Sequence, residues 1–176
     1  MSVTALARAH TIGLLLSNKA GVLNRVTLVF SRRGWNIDSL SVSPRKDERI
    51  SHCTIVARGD SATLFVIMGQ LRKLVDVIEA EEYFDVMMNV REFALVHLSV
   101  EDESWQPFLA QFDIEWTELE RVEQAVTVEL RGGYRAVDET CRGLADRFHV
   151  VNLVRSGKMQ IEREGYGLAQ SKATGV

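Results

Sequence analysis

The sequence predicts an α+β chain built from two ferredoxin-like βαββαβ domains in tandem, over residues 10–83 and 91–162. Three observations carry this expectation. Short stretches of alternating apolar and polar residues recur along the chain, bounded by glycine, proline or charged turns. Between them lie apolar stripes at the three- and four-residue spacing of a helix face. Strand-like and helix-like segments then follow one another in the same order twice, with Tyr83 to Val90 as the join. The repeat is one of pattern, not of residue identity.

Ile12, Leu14 and Leu16 alternate with Thr11, Gly13 and Leu15 and predict the first strand. After the turn Ser17-Asn18-Lys19-Ala20-Gly21, the residues Val22, Leu23, Val26, Val29 and Phe30 take helical spacing, and Gly34 stands where a helix-ending glycine belongs. Ile37 to Val42 predicts a second strand, Pro44 to Arg49 a charged turn, and Ile50 to Ala57 a third strand. Gly59-Asp60-Ser61 opens a helix with Leu64, Phe65, Ile67, Met68 and Leu71 expected on one face, and Val75 to Ala80 closes the first unit as a strand. The second unit starts at Phe93 to Val100, where Ala94, Val96, Leu98 and Val100 share a face. A short helix over Trp105 to Phe112, strands over Ile114 to Thr117 and Ala125 to Arg131, a break at Gly132-Gly133, a helix carrying Val137, Cys141, Leu144, Ala145 and Phe148, and a strand from Val150 to Val154 complete it. The glycine-bearing tail from Glu164 onward is expected to be mobile.

Composition narrows the function. The 176 residues are 46% hydrophobic, ample for packed cores, and a net charge of −3 gives no electrostatic footprint for nucleic acid. No apolar run reaches the length that crosses a bilayer, so no membrane partner is expected. The apolar run after Arg8 is short for a secretory signal and is needed as a strand. Cys53 and Cys141 stand far apart with no CxxC partner, which points to a reducing, cytoplasmic setting with both thiols as core filler.

No constellation carries catalysis or holds a metal. His10, His52, His97 and His149 are spread one per region, none at metal-ligand spacing from another ligand on its own element. His52 and Cys53 are neighbours on a strand and so point to opposite faces. Glu79, Glu81 and Glu82 read as a solvated strand end, Gly132-Gly133 as a turn, and Trp35, Trp105 and Trp116 as core or interface residues. There is neither a GxGxxG nor a P-loop.

The opening turn remains. A helix N-terminus presents free N–H groups and a positive dipole end, both suited to a carboxylate, and Gly21 lets a ligand come close to the backbone. Asn18 has one group for an ammonium and one for a carboxylate, the pair an amino acid carries. Two readings stand on the residues alone: a binding turn, or Asn18 capping the helix while Gly21 eases the bend.

The stretch "NKAGVLNRVTLVFSRRGWNIDSLSVSP", followed by "RISHCTIVARGD" and "QLRKLVDVIEAEE", resembles the small regulatory subunit of acetolactate synthase (acetohydroxyacid synthase). The similarity is close from His10 to Glu82 and looser from Arg91, where "REFALVHLSV" and "VVNLVRSG" still match the family's second domain. Trp35 stands where tyrosine or phenylalanine is usual, His52-Cys53 replaces a common Arg-Met pair, and the helix around Trp105 to Phe112 is short for the family. The resemblance implies that the first domain is an ACT domain. It implies a non-catalytic subunit that activates a large catalytic subunit and makes it sensitive to a branched-chain amino acid, usually valine. The cofactors, thiamine diphosphate, Mg and FAD, would sit on that large subunit, with none on this chain. It further implies a homodimer through paired ACT domains. The effector site would combine Asn18, Ala20, Gly21, Val22 and Leu23 of one protomer with Asn36 and Ile37 of the other. The alternatives are a stand-alone ACT-type amino-acid sensor of another pathway, which would share the turn, and a small ferredoxin-like enzyme, against which the missing catalytic cluster argues.

Overall fold

A computed structural model describes residues 8–84 and 88–162, so the tail from Glu164 onward lies outside the described residues. The chain divides into two compact units, the second running from Val90 to Met159. Each is an antiparallel sheet with helices on one face, an α+β architecture.

In the first unit the elements are β1 (Arg8–Ser17), α1 (Val22–Ser31), β2 (Ile37–Pro44), β3 (Ile50–Gly59), α2 (Ser61–Leu71) and β4 (Val77–Tyr83). The sheet order is β2-β3-β1-β4, with every pairing antiparallel. Register follows the apolar alternation: Ile12 sits opposite Ile55 and Leu14 opposite Cys53, and these residues bury one face against Val22, Val26 and Phe30 of α1 and Ile67 and Leu71 of α2. On the opposite face Gly13 is required, since a Cβ there would lie 1.9 Å from the Tyr83 ring. Asp60 caps α2 by accepting a hydrogen bond from the Thr63 amide at 2.8 Å.

Two expectations need correction here. Phe65 does not share the buried face of α2; it is 81% exposed, while Leu64, Ile67, Met68 and Leu71 are buried. Those four keep i, i+3, i+4, i+7 spacing, and Phe65 stands about 100° further round. The last strand starts at Val77 rather than Val75, because the chain first turns through bonds from Lys73 to Gln70, Leu74 to Leu71 and Val77 to Leu74. Val75 is left 98% exposed at that turn. The strand continues to Tyr83, paired with Thr11.

From the second unit come β5 (Met88–Ser99), which begins two residues before it, α3 (Trp105–Leu109), β6 (Ile114–Val122), β7 (Ala125–Gly132), α4 (Tyr134–Arg147) and β8 (His149–Arg155), and β9 (Met159–Glu162) follows at its end. The sheet order is β6-β7-β5-β8, and β9 also pairs with β5. Ala94, Val96, Leu98, Val126, Val128 and Leu130 of the sheet bury against Trp105, Leu109, Val137 and Leu144 of the helices. The helix expected over Trp105 to Phe112 stops at Leu109; Phe112 reaches the core from the following turn, its ring 5.1 Å from Phe108. β6 runs five residues past the expected Thr117. It is an edge strand, where charges are tolerated, and Arg121 binds both Glu118 and Glu103 at 2.8 Å. Beneath α4, Glu92 is 1% exposed and receives both a 2.9 Å and a 2.6 Å bond from Arg155, which also reaches Asp138 at 2.6 Å. Burial alone would lower the Arg155 pKa, but the bonds to Glu92 and Asp138 outweigh it and raise it.

Candidate functional site

The turn between β1 and α1 is held from three sides. The Ser17 amide donates to the Asp76 carbonyl at 2.8 Å, the Asn18 amide to the Arg49 carbonyl at 2.7 Å, and the Lys19 amide to the Ser17 carbonyl at 2.9 Å. Asn18 does not cap the helix. Its side-chain amide donates to the Glu48 carbonyl at 2.8 Å, which braces the turn against the β2–β3 hairpin and leaves the Oδ1 atom for a donor. Gly21 is itself the N-cap residue, with φ of 81°, the left-handed region where a side chain is strained.

This geometry decides which amides are free. Val22 N–H is directed at the Lys19 carbonyl at 3.4 Å, and Arg25 N–H donates to Gly21 at 3.2 Å. Among the described residues, the amides of Ala20, Gly21, Leu23 and Asn24 have no protein acceptor. The turn therefore offers Ala20 and Gly21 rather than Val22 as its accessible donors. The Val22 side chain is 3% exposed and packs in the core, so it supports the turn from below, whereas Leu23 is exposed beside it. A shallow depression of about 410 Å³ adjoins the turn, lined by Asn18, Lys19, Arg49, Asp47, Ile50 and Ile78. Arg25 is paired with Asp76.

Asn36 and Ile37 are not brought to this turn within one chain. Ser17 pairs with Ile50 at one end of β3, while Ile37 pairs with Ala57 at the other. Seven residues of extended strand separate the two, roughly 23 Å. Asn36 is exposed at the head of β2, a strand with a free edge.

The head of β2 is fixed by residues that the sequence did not single out as a group. Trp35 stacks on His10 with ring centroids 5.5 Å apart and an interplanar angle of 23°. The buried His10 places Nδ1 2.7 Å from a Glu82 carboxylate oxygen and Nε2 3.2 Å from the Gly59 carbonyl. Glu82 is thus engaged rather than merely solvated. The signal was present, a polar His10 opening an apolar strand, but its partner lies 72 residues away. Asp38 next door accepts a 2.7 Å bond from Arg58.

His52 and Cys53 face opposite sides of β3, and burial pushes the Cys53 thiol up to about 12, so the pair forms no nucleophile and base. Among the described residues no group of three His, Cys, Asp or Glu is placed to hold a metal ion. No helix among them is long and apolar enough to cross a membrane.

A four-stranded antiparallel sheet backed by two helices, with a glycine-capped turn after its first strand, is the architecture of ACT-type ligand domains. Residues 12–79 match the model of the AHAS small subunit-like ACT domain. A probable acetolactate synthase small subunit of Methanothermobacter thermautotrophicus is 32% identical over 88% of this chain and 92% of its own length. A chloroplastic acetolactate synthase small subunit 2 of Arabidopsis thaliana is 31% identical over 91% of this chain, which spans only 33% of that longer protein. The crystal structure of the Thermotoga maritima acetolactate synthase small subunit superposes with a TM-score of 0.71 at 26% identity, over 89% of this chain and 98% of that one. The chain belongs to the acetolactate synthase small-subunit family.

Proposed function

We propose that this chain is the non-catalytic, regulatory small subunit of acetolactate synthase. It binds and activates a thiamine-diphosphate-dependent large subunit and confers feedback inhibition by a branched-chain amino acid, with valine as the effector. The family match across both units supports the partnership. The observation that carries the regulatory reading is the separation of the two half-sites at opposite ends of β3.

Edge pairing of two copies resolves that separation. Pro44 pairs with Ser51, next to the Ser17–Ile50 pair, so the far end of β2 lies at the turn. If two β2 edges pair antiparallel, the head of one lies beside the tail of the other. Asn36 and Ile37 of a second copy then approach the Asn18–Leu23 turn. In this arrangement the Ala20 and Gly21 amides hold the effector carboxylate, and Asn18 Oδ1 and Asn36 meet its ammonium group. Leu23 and Ile37 contact its aliphatic side chain. A ligand that bridges two copies binds the pair better than the single chain, and shifts the assembly only by that difference in affinity. A coupling of about 1–3 kcal/mol suffices for feedback control.

Isothermal titration with valine, against leucine, isoleucine and alanine, tests the site. Heat from valine that disappears in Asn18→Ala and weakens in Gly21→Asp is expected, since a carboxylate at position 21 would repel that of the ligand. Unchanged valine affinity in both variants removes the proposed pocket. Addition of the chain to its cognate large subunit should raise acetolactate formation; turnover of pyruvate by the purified chain alone would refute the non-catalytic assignment.

A further inference from the structure

Helix α2 is apolar on both sides. Its inner stripe of Leu64, Ile67, Met68 and Leu71 is buried in the core. Its outer stripe, Ala62, Phe65, Val66 and Gly69, repeats the same i, i+3, i+4, i+7 spacing towards solvent, with Phe65 81% exposed. A helix that is apolar all round belongs in an interior, so the outer stripe calls for a cover. Gly69 adds a second sign. A Cβ built there meets nothing within 4 Å, so nothing among the described residues requires glycine at a mid-helix position where it costs stability relative to alanine. A partner's close approach would require it.

Charge indicates what the cover is made of. Residues 22–33 and 61–73, which contain both helices, carry Arg25, Arg32, Arg33, Arg72 and Lys73 but no aspartate or glutamate, in a chain with 24 acidic residues. The first turns of both helices lack acids even though the helix dipole favours them there. Arg25 is paired with Asp76, and Arg72 donates to the Ala80 carbonyl at 2.9 Å. The Arg32 and Arg33 guanidinium groups have no hydrogen bond or ion pair among the described residues, and with Ala62, Thr63 and Val66 these arginines line a depression of about 480 Å³.

We propose that the outer surface of α1 and α2 is where the large catalytic subunit docks. The docking segment would lay an apolar side chain between Phe65 and Gly69 and offer carboxylates to Arg32 and Arg33. A second copy of this chain is a poor occupant. A two-fold contact sets the same patch against itself, and this patch would oppose cations to cations, its flanking acid Asp60 being engaged by the Thr63 amide. The proposal rests on the reading of the chain as a small subunit and adds the surface and the chemistry of contact.

The test titrates the full-length chain into the cognate large subunit and reads acetolactate formation. Phe65→Ser and the double charge reversal Arg32→Glu, Arg33→Glu should each raise the concentration for half-activation at least tenfold, with valine heat unchanged. Half-activation by the wild-type chain should weaken with salt, and the charge reversal should flatten that dependence. Gly69→Gln should raise the melting temperature of the isolated chain yet weaken docking, a combination that a purely structural role for Gly69 would not produce. Half-activation within twofold of wild type in all three variants overturns the proposal. Loss of the homodimer in Phe65→Ser, seen by sedimentation with docking intact, also overturns it and assigns the surface to a second copy. Failure of the wild-type chain itself to activate removes the small-subunit reading instead.

Discussion

Gly59→Ala is the sharpest test of how the head of β2 is held. A Cβ at position 59 would lie 2.1 Å from two atoms of the Trp35 indole, so the ring must retreat by about 1.3 Å to regain ordinary contact. It has little room to do so. His10 stacks on the ring, and His10 is fixed between Glu82 and the Gly59 carbonyl itself. Overpacking of this kind costs about 1–3 kcal/mol. In urea unfolding followed by circular dichroism, the midpoint should fall by about 0.5–1 M, given slopes of a few kcal/mol per molar for a protein of this size. The same substitution in a Trp35→Ala background should cost under about 0.5 kcal/mol, because the clashing ring is gone. Equal losses in the two backgrounds would refute the reasoning, since the cost would then not come from Trp35.

Three further outcomes are expected. Glu92→Leu leaves the Arg155 guanidinium with Asp138 and the face of the Tyr134 ring and should destabilise the chain by about 2–4 kcal/mol in urea unfolding, below the full cost of a broken buried pair because Arg155 still reaches solvent. Cys53 and Cys141, pushed by burial up to about 12 and about 11, should resist a thiol reagent at pH 8 in the native protein and react fully in urea, as read by absorbance of the released thiolate. The Asp60 carboxyl is held below its ordinary value, first by the Thr63 amide, so its contribution is complete above the ordinary carboxylate range and is lost as pH falls through the lower folded value. Asp60→Asn should therefore flatten part of the acid limb of a melting-temperature profile below about pH 4.

The alternation of Ile12, Leu14 and Leu16 and the helical spacing of Val22, Val26 and Phe30 made the first unit legible, because one buried face leaves a local period in the chain. Phe65 misled for the same reason: an apolar residue beside an apolar stripe reads as part of it, and local periodicity has no term for a helix that is apolar on its outer side. The continuation of β6 through Glu118 to Val122 was hidden because its charged residues suit an edge, and edge position is a property of the whole sheet. The turn at Asn18 to Gly21 was visible as a glycine-bearing break, but not the use of Asn18. Its bond runs to Glu48, thirty residues on, so a contact that looked like a cap is a brace between two loops. The Glu82–His10–Trp35 stack escaped notice for the same cause, since each member is unremarkable in its own neighbourhood.

The length of β3 sets a genetic consequence for the proposed site. Each pocket of an edge-paired dimer would draw its turn from one copy and its strand head from the other, so neither copy owns a pocket. A chain defective at Asn18 and a chain defective at Asn36 would each be insensitive to effector as a pure population. Mixed, they would form heterodimers in which both lesions fall in one pocket and the other pocket is wholly wild type. Two insensitive alleles expressed together should therefore restore part of the feedback response that neither provides alone.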